Sequence, residues 1–238
     1  MKLFRYFVIL FCFYSSTAVA QYGVRVKSNF ENHGQLNNVL HDLYGGSKNL
    51  FSPSYEIGVD YWFALKKKRI EFMPELAFAY GNTDITNDVN VNMQRFLFNF
   101  HTQIYALDLN EDCNCPTFSK QGPSLNKGFF FHVTPGVSYN QTTSSVASSD
   151  LIETITEKKS QNLLFHVGLG LGLDLGINDL ITLTPMASYY FFSAGSYDIP
   201  INQLETTTVD YGFTQLQFQV RAGFRFDYKR SKYGGRRR

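Results

Sequence analysis

Beyond its first twenty residues, this 238-residue chain has no long apolar run. A helix needs about 20 consecutive apolar residues to cross a bilayer, so the mature chain holds no transmembrane helix. It has one tryptophan and three cysteines, and Cys12 falls in the N-terminal segment, so Cys113 and Cys115 are the only cysteines after it. Two cysteines allow at most one bridge within the chain, so no multi-bridge framework holds the fold. Helix-favouring stretches are few, whereas phenylalanine (23) and tyrosine (15) are abundant.

The first twenty residues set the compartment. Lys2 and Arg5 make a positive start, an apolar stretch runs from Phe7 to Tyr14, and Ala18-Val19-Ala20 has the A-x-A cleavage pattern. This predicts a secretory signal peptide over 1–20, with Gln21 as the mature N-terminus. An anchoring helix is the alternative, but the run is short for a span. Cys12 lacks the small residues of a lipoprotein site before it, so no lipid anchor is expected. The net charge of +2 belongs to the ends. Two of the 22 basic residues lie in the signal and six in the tail 229–238, "KRSKYGGRRR", which leaves 14 against 20 acidic residues for the body. A basic tail on an exported body points to solvent or acidic headgroups, not to nucleic acid.

Eight alternating runs organise residues 21–228. Their apolar sets include Val24 and Val26; Tyr55, Ile57 and Val59; Phe72, Leu76 and Phe78; Phe96 and Phe98. Further along come Phe131, Val133 and Val137; Leu163 through Leu175 at every second residue; Leu183, Ala187 and Tyr189; and Leu216 through Tyr228 at every second residue. Period-two alternation predicts strands with one apolar and one polar face. A soluble sandwich would use strands of about 5–6 residues. These runs reach ten residues or more, and a strand needs ~9–11 to cross a bilayer. The polar faces mix Arg, Glu, Asp and Gln with Gly and Ala, as the inside of a narrow barrel requires. The expectation is an all-β, eight-stranded antiparallel up-and-down transmembrane β-barrel, in an outer membrane.

Links 31–52, 82–91, 141–160 and 194–210 are long and polar, whereas 66–69 and 177–179 are tight turns. Long outer loops and short inner turns place both termini in the periplasm. The link 107–127 breaks this pattern, because an inner link needs only a few residues. "QLNNVLHDLYGG" predicts a short helix ending at Gly45. Pro74, Pro135 and Pro185 each lie inside an ascending run, with the parity of the lipid-facing set. Proline removes a ladder donor. A β-bulge or strand-start device is expected there, and a ligand-related bend is the alternative.

The signal ending before Gln21, the eight runs, the P-x-x-x-[ST]-Y-like strand starts and the aromatic-x-aromatic last strand resemble the small outer-membrane β-barrel proteins of Bacteroidota. In architecture these are related to OmpA/OmpX-type barrels. The resemblance covers nearly all of 22–228 and implies location and fold. It implies no catalytic residue.

Charges in a narrow lumen need partners. Strand one closes against strand eight and adjoins strand two, which predicts a lumen ion-pair network of Arg25, Lys27, Glu56, Asp60, Arg221 and Arg225. A conducting pore is the alternative, but open channels need wider barrels. His101, His132 and His166 share the inward parity, at differing heights. Interior hydrogen bonding is expected rather than a metal, and no cofactor is expected. For Cys113 and Cys115 a local disulfide or redox pair, a free pair and an intermolecular bridge all stay open. The first outer loop offers His33, His41, Asp42 and Ser47 for a rim enzyme acting on lipid or peptide, without a complementary set elsewhere. The expected protein is therefore non-enzymatic. It contacts outer-membrane lipid and presents outer loops or serves as an accessory subunit, with a protein partner at 107–127 or at the outer loops.

Overall fold

The computed structural model describes residues 21–44, 53–65, 68–86, 89–108, 128–147, 155–177, 180–200 and 206–225. The signal segment 1–20, residues 109–127 with Cys113 and Cys115, and the tail 229–238 lie outside them.

The strands are β1 (Gln21–Asn32), β2 (Ser54–Ala64), β3 (Ile70–Thr86), β4 (Val89–Ile104), β5 (Phe129–Ala147), β6 (Ile155–Leu173), β7 (Leu175–Gly176), β8 (Ile181–Phe192), β9 (Gly195–Pro200), β10 (Thr206–Tyr211) and β11 (Thr214–Arg225). A helix, α1 (Gly34–Tyr44), follows β1. Each wall strand pairs antiparallel with its sequence neighbour, and β11 pairs with both β8 and β1. The sheet therefore closes into a ring without an edge. Strands β6 and β7 are one stave, because both pair with β8 and in the same register. Eight staves form the wall.

The alternation of apolar and polar residues decides which face is which. Along β1 buried and exposed positions alternate from Gln21 to Asn32, and the buried ones are Gln21, Arg25, Lys27, Asn29 and Glu31 with Gly23. The exposed ones include Val24, Val26 and Phe30. The same inversion holds around the ring: Ile57, Leu76, Phe96, Leu163, Phe165 and Phe218 are all at least 45 % exposed. A wall of this kind is apolar outside and polar inside, the reverse of a water-soluble domain. Its backbone groups pair within a closed sheet, as hydrocarbon requires. No described helix is long and apolar enough to cross a membrane; the strands do so.

Glycines on β6 make this narrow lumen packable. A side chain at Gly168 would strike the Tyr190 ring, and one at Gly172 would strike Phe130 and Met186. The alternation "VGLGLGL" thus sets leucine toward lipid and leaves room for the facing strands' side chains inside.

The long links at one end of the barrel are mostly not loops. Pairing of β3 with β4 runs up to Thr86↔Val89, and that of β5 with β6 up to Ala147↔Ile155. The link 31–52 holds α1, as the sequence predicts, and 194–210 holds a hairpin of β9 and β10. That hairpin was legible only as a polar link. From α1, Leu36 and Val39 lie one helical turn apart and join Tyr197, Val209 and Tyr211 of the hairpin in one apolar cluster. It also holds Val91, Met93, Leu164, Tyr190, Phe192 and Phe213. The cluster caps the lumen at the hairpin end.

The three prolines do not make bulges; each is instead the other device the sequence suggests, a release of the ladder near the start of its strand. Opposite Pro74, β2 and β3 pair at Asp60↔Glu75 and again at Phe63↔Phe72. Opposite Pro135, β4 and β5 pair at Asn99↔Gly136 and again at Thr102↔Val133. Opposite Pro185, β6 and β8 pair at Gly172↔Met186, and β7 resumes at Leu175↔Leu183. Two residue pairs drop out each time and the register is unchanged. On its other side each proline pairs normally, with Phe100, Val167 and Val220. Proline has no N–H to offer the preceding strand, so the ladder opens on that side only. Side chains span two of the gaps: the His101 ring lies 2.9 Å from Thr134 Oγ1, and Thr184 Oγ1 donates to Asp174 at 2.5 Å.

Candidate functional site

The lumen is filled by charged and polar side chains. Among the described residues five cations (Arg25, Lys27, Arg69, Arg95, Arg221) and six carboxylates (Glu31, Glu56, Asp60, Glu71, Glu75, Asp174) are buried. A buried charge is costly unless it is paired and hydrogen-bonded. The register of the closed ring supplies the pairs in three tiers.

At the tier near the short turns, Arg25 and Arg221 stand directly opposite each other on β1 and β11. Asp60 of β2 lies between them. It accepts Arg25 Nε at 2.8 Å, Arg221 Nε at 2.8 Å and Arg221 Nη2 at 2.6 Å. Below it, Asp174 accepts the Tyr105 hydroxyl and Thr184, while Trp62 Nε1 donates to Glu71 at 2.6 Å.

In the middle tier, Lys27 Nζ bridges Glu56 at 2.6 Å and Glu75 at 2.7 Å. Glu75 also accepts Asn99 Nδ2 at 2.7 Å and contacts His101 Nε2 at 2.7 Å. The other ring nitrogen of His101 lies 2.8 Å from His132, and His132 continues to Ser188 at 3.1 Å. His166 bonds instead to Asn99 at 2.7 Å. The three histidines thus join one hydrogen-bonded chain but do not converge on a point, and among the described residues no cluster of three metal-ligating side chains occurs.

In the tier under the cap, the Arg95 guanidinium contacts Glu31 at 3.1 Å and Asn140 at 2.9 Å. It also lies 5.0 Å from the ring centres of both Phe192 and Phe213, within cation–π range. Glu31 completes its shell with Ser54 at 2.9 Å and His33 at 2.8 Å.

Arg25, Asp60 and Arg221 thus form one contact group and Lys27 and Glu56 a second, and Glu75 joins the two by lying 3.7 Å from Arg25 and 2.7 Å from Lys27. Arg225 ends β11 opposite Gln21, and its side chain lies outside the described ones, as do Cys113 and Cys115. Of the outer-loop residues singled out for a rim enzyme, His33 is buried and stacked on Phe213. Its ring contacts Glu31, which also accepts the Ser54 hydroxyl. Asp42 is exposed on α1; the side chain of His41 and all of Ser47 fall outside the described residues. Glu31 escaped the sequence reading although its inward parity on β1 was visible. Tyr105 escaped it because it follows the last residue of β4.

The chain is a closed, membrane-spanning β-barrel of eight antiparallel strands. No protein-family model matches the sequence, and no curated protein matches it. Among solved structures it is similar to Ail, the attachment invasion locus protein of Yersinia pestis, with TM-score 0.48 and 8% identity over 87% of this chain and 97% of that one. It is also similar to neisserial surface protein A, with TM-score 0.45 and 8% identity over 88% and 98% of the two chains. A major outer membrane protein from Thermus thermophilus scores 0.46 at 10% identity over 86% and 99%. At these scores the likenesses assign no function and no residue roles.

Proposed function

We propose that this protein is a non-enzymatic outer-membrane barrel, both termini periplasmic, that presents a raised sheet to a protein partner outside the cell or within a larger outer-membrane assembly. The observation behind this reading is the height of the wall. β2 pairs with β3 only as far as Tyr80, whereas β3 and β4 stay paired to Thr86. β8 pairs with β6 only from His166, whereas β5 and β6 stay paired to Ile155. The four strands β3 to β6 thus outrun their neighbours by six and eleven residues, about 20 and 35 Å at ~3.3 Å per residue. Leu163 and Phe165 at the base of this overhang belong to the apolar belt, and the exposed positions beyond them are polar: Asn82, Asp84, Lys158, Lys159 and Gln161. A sheet that leaves the hydrocarbon and stays ordered by its own ladder suits contact with another protein. The filled lumen and its cap speak against a small pore. Affiliation with the small Bacteroidota barrels belongs to this proposal too, resting on the strand-start and last-strand motifs.

The test replaces 82–91 and 143–159 with tight turns. The shortened barrel should keep heat-modifiable gel mobility and lose the proteins that co-purify with the full chain from its native membrane. Unchanged co-purification would refute the reading. A tag at residue 150 should be accessible on intact cells, and protection of that tag would reverse the orientation.

A further inference from the structure

We infer that the lipid-facing wall carries a specific seat for one acyl chain of a phospholipid, in the leaflet next to the short turns. The seat lies where the β6–β8 ladder opens at Pro185. A shallow, open groove of ≈ 330 Å³ lies on that part of the outer wall, lined by Phe129, Leu171, Leu173, Pro185, Ala187 and Phe218. This volume is at the low end for a ligand site, of roughly 300–1,000 Å³. It suits a single chain rather than a whole lipid.

The groove follows from the sequence of two strands. Lipid-facing positions of β8 carry Tyr189 and Phe191 toward the hairpin end, but Pro185 and Ala187 below them. Small side chains between the large ones of β6 and β11 leave a trough. The missing pairs at Leu173 and Asp174 remove the hydrogen bonds that would draw the strands together there. The Asp174 amide continues the β5–β6 ladder instead, donating to the Gly128 carbonyl at 2.9 Å. Its side chain is held inside by Thr184 and Tyr105. The opened ladder therefore offers the groove no polar side chain, and the floor is apolar.

The occupant is hydrocarbon because the groove is continuous with the apolar belt: Leu169, Tyr189 and Val220 around it are exposed on the same face. It sits a few residues from the 177–180 turn, in the half of the wall opposite the raised sheet. A phospholipid of that leaflet, with its headgroup at the turn, places one chain along the trough.

The inference rests on the membrane placement, and the experiment separates the two. The intact barrel is reconstituted in vesicles of phosphatidylethanolamine and phosphatidylglycerol, extracted in mild detergent, and weighed by native mass spectrometry. Wild type should retain one phospholipid per barrel. Ala187→Phe, which fills the trough, should retain at least fivefold less. Ala222→Phe, the same change on the lipid face of β11, should behave as wild type. Should Ala187→Phe not fold, a second measurement decides. In a Trp62→Phe background, the tryptophan introduced by Phe218→Trp should be quenched by acyl-brominated phospholipid at least twice as strongly as one introduced by Leu76→Trp. No retained lipid in wild type, equal retention in Ala187→Phe, or equal quenching at the two positions overturns the seat. Loss of a dimer with Ala187→Phe also overturns it, and assigns the groove to a second copy. A barrel that does not insert into vesicles at all would overturn the membrane placement itself.

Discussion

Neutralising Asp60 tests whether the lumen network holds the barrel together. Arg25 and Arg221 face each other across β1 and β11, an arrangement that repels unless a carboxylate stands between them. Asp60 is that carboxylate, with three contacts of 2.6–2.8 Å. Arg25 has a second anion, Glu75, at 3.7 Å, and a weaker bond to Gln219 at 3.3 Å. Arg221 shows no other carboxylate within ion-pair range among the described residues. Asp60→Asn keeps the shape and removes the charge, leaving two guanidinium groups face to face in a buried site. Removing one partner of a buried pair costs about 3–5 kcal/mol, and the repulsion puts this variant at the upper end. Arg221→Met should cost less, about 1–2 kcal/mol, because Asp60 keeps Arg25 and only part of its shell is lost. Combining the two should recover at least half of the loss from Asp60→Asn, because one cation then remains beside a neutral amide. The assay is urea unfolding in detergent micelles, followed by heat-modifiable gel mobility and tryptophan emission. Asp60→Asn within about 1 kcal/mol of wild type would refute the reasoning, as would a double variant whose losses simply add.

Gly168→Val should destabilise by about 1–3 kcal/mol through overpacking, because its side chain would meet the Tyr190 ring; the same unfolding assay reads it. Thr134→Val should cost about 1–3 kcal/mol, since it strips a hydroxyl from the His101–His132 contact that spans the ladder gap at Pro135; a loss below about 0.5 kcal/mol would mean the side chains do not bridge the gap. Replacing 109–126 with a short turn should leave the barrel assembled, because β4 and β5 pair through Ile104↔Phe131 without that link, and should weaken co-purification of a periplasmic or membrane partner. Planar-bilayer recording of the purified barrel should show no steady conductance, and stable channels would contradict a filled lumen.

Local alternation was enough to assign faces. A residue's parity along a strand depends on the backbone pleat alone, so the inward set of Arg25, Lys27, Glu56, Asp60 and Arg221 was legible without any fold. So was the helix within "QLNNVLHDLYGG", which needs only a local pattern. The three prolines were legible as interruptions, but a bulge and a register-preserving gap leave the same trace in sequence. Both begin with one missing N–H, and which occurs depends on whether the neighbouring strand can keep its alignment on the far side. Partnership in the lumen was also hidden. Arg25 faces Arg221 and shares Asp60 with it because the whole ring closes in one register, a sum over eight staves that no single run encodes. The cap likewise needed tertiary structure: the β9–β10 hairpin begins about 150 residues after α1 ends, and each looks merely polar until the barrel mouth gives its few apolar side chains something to cover.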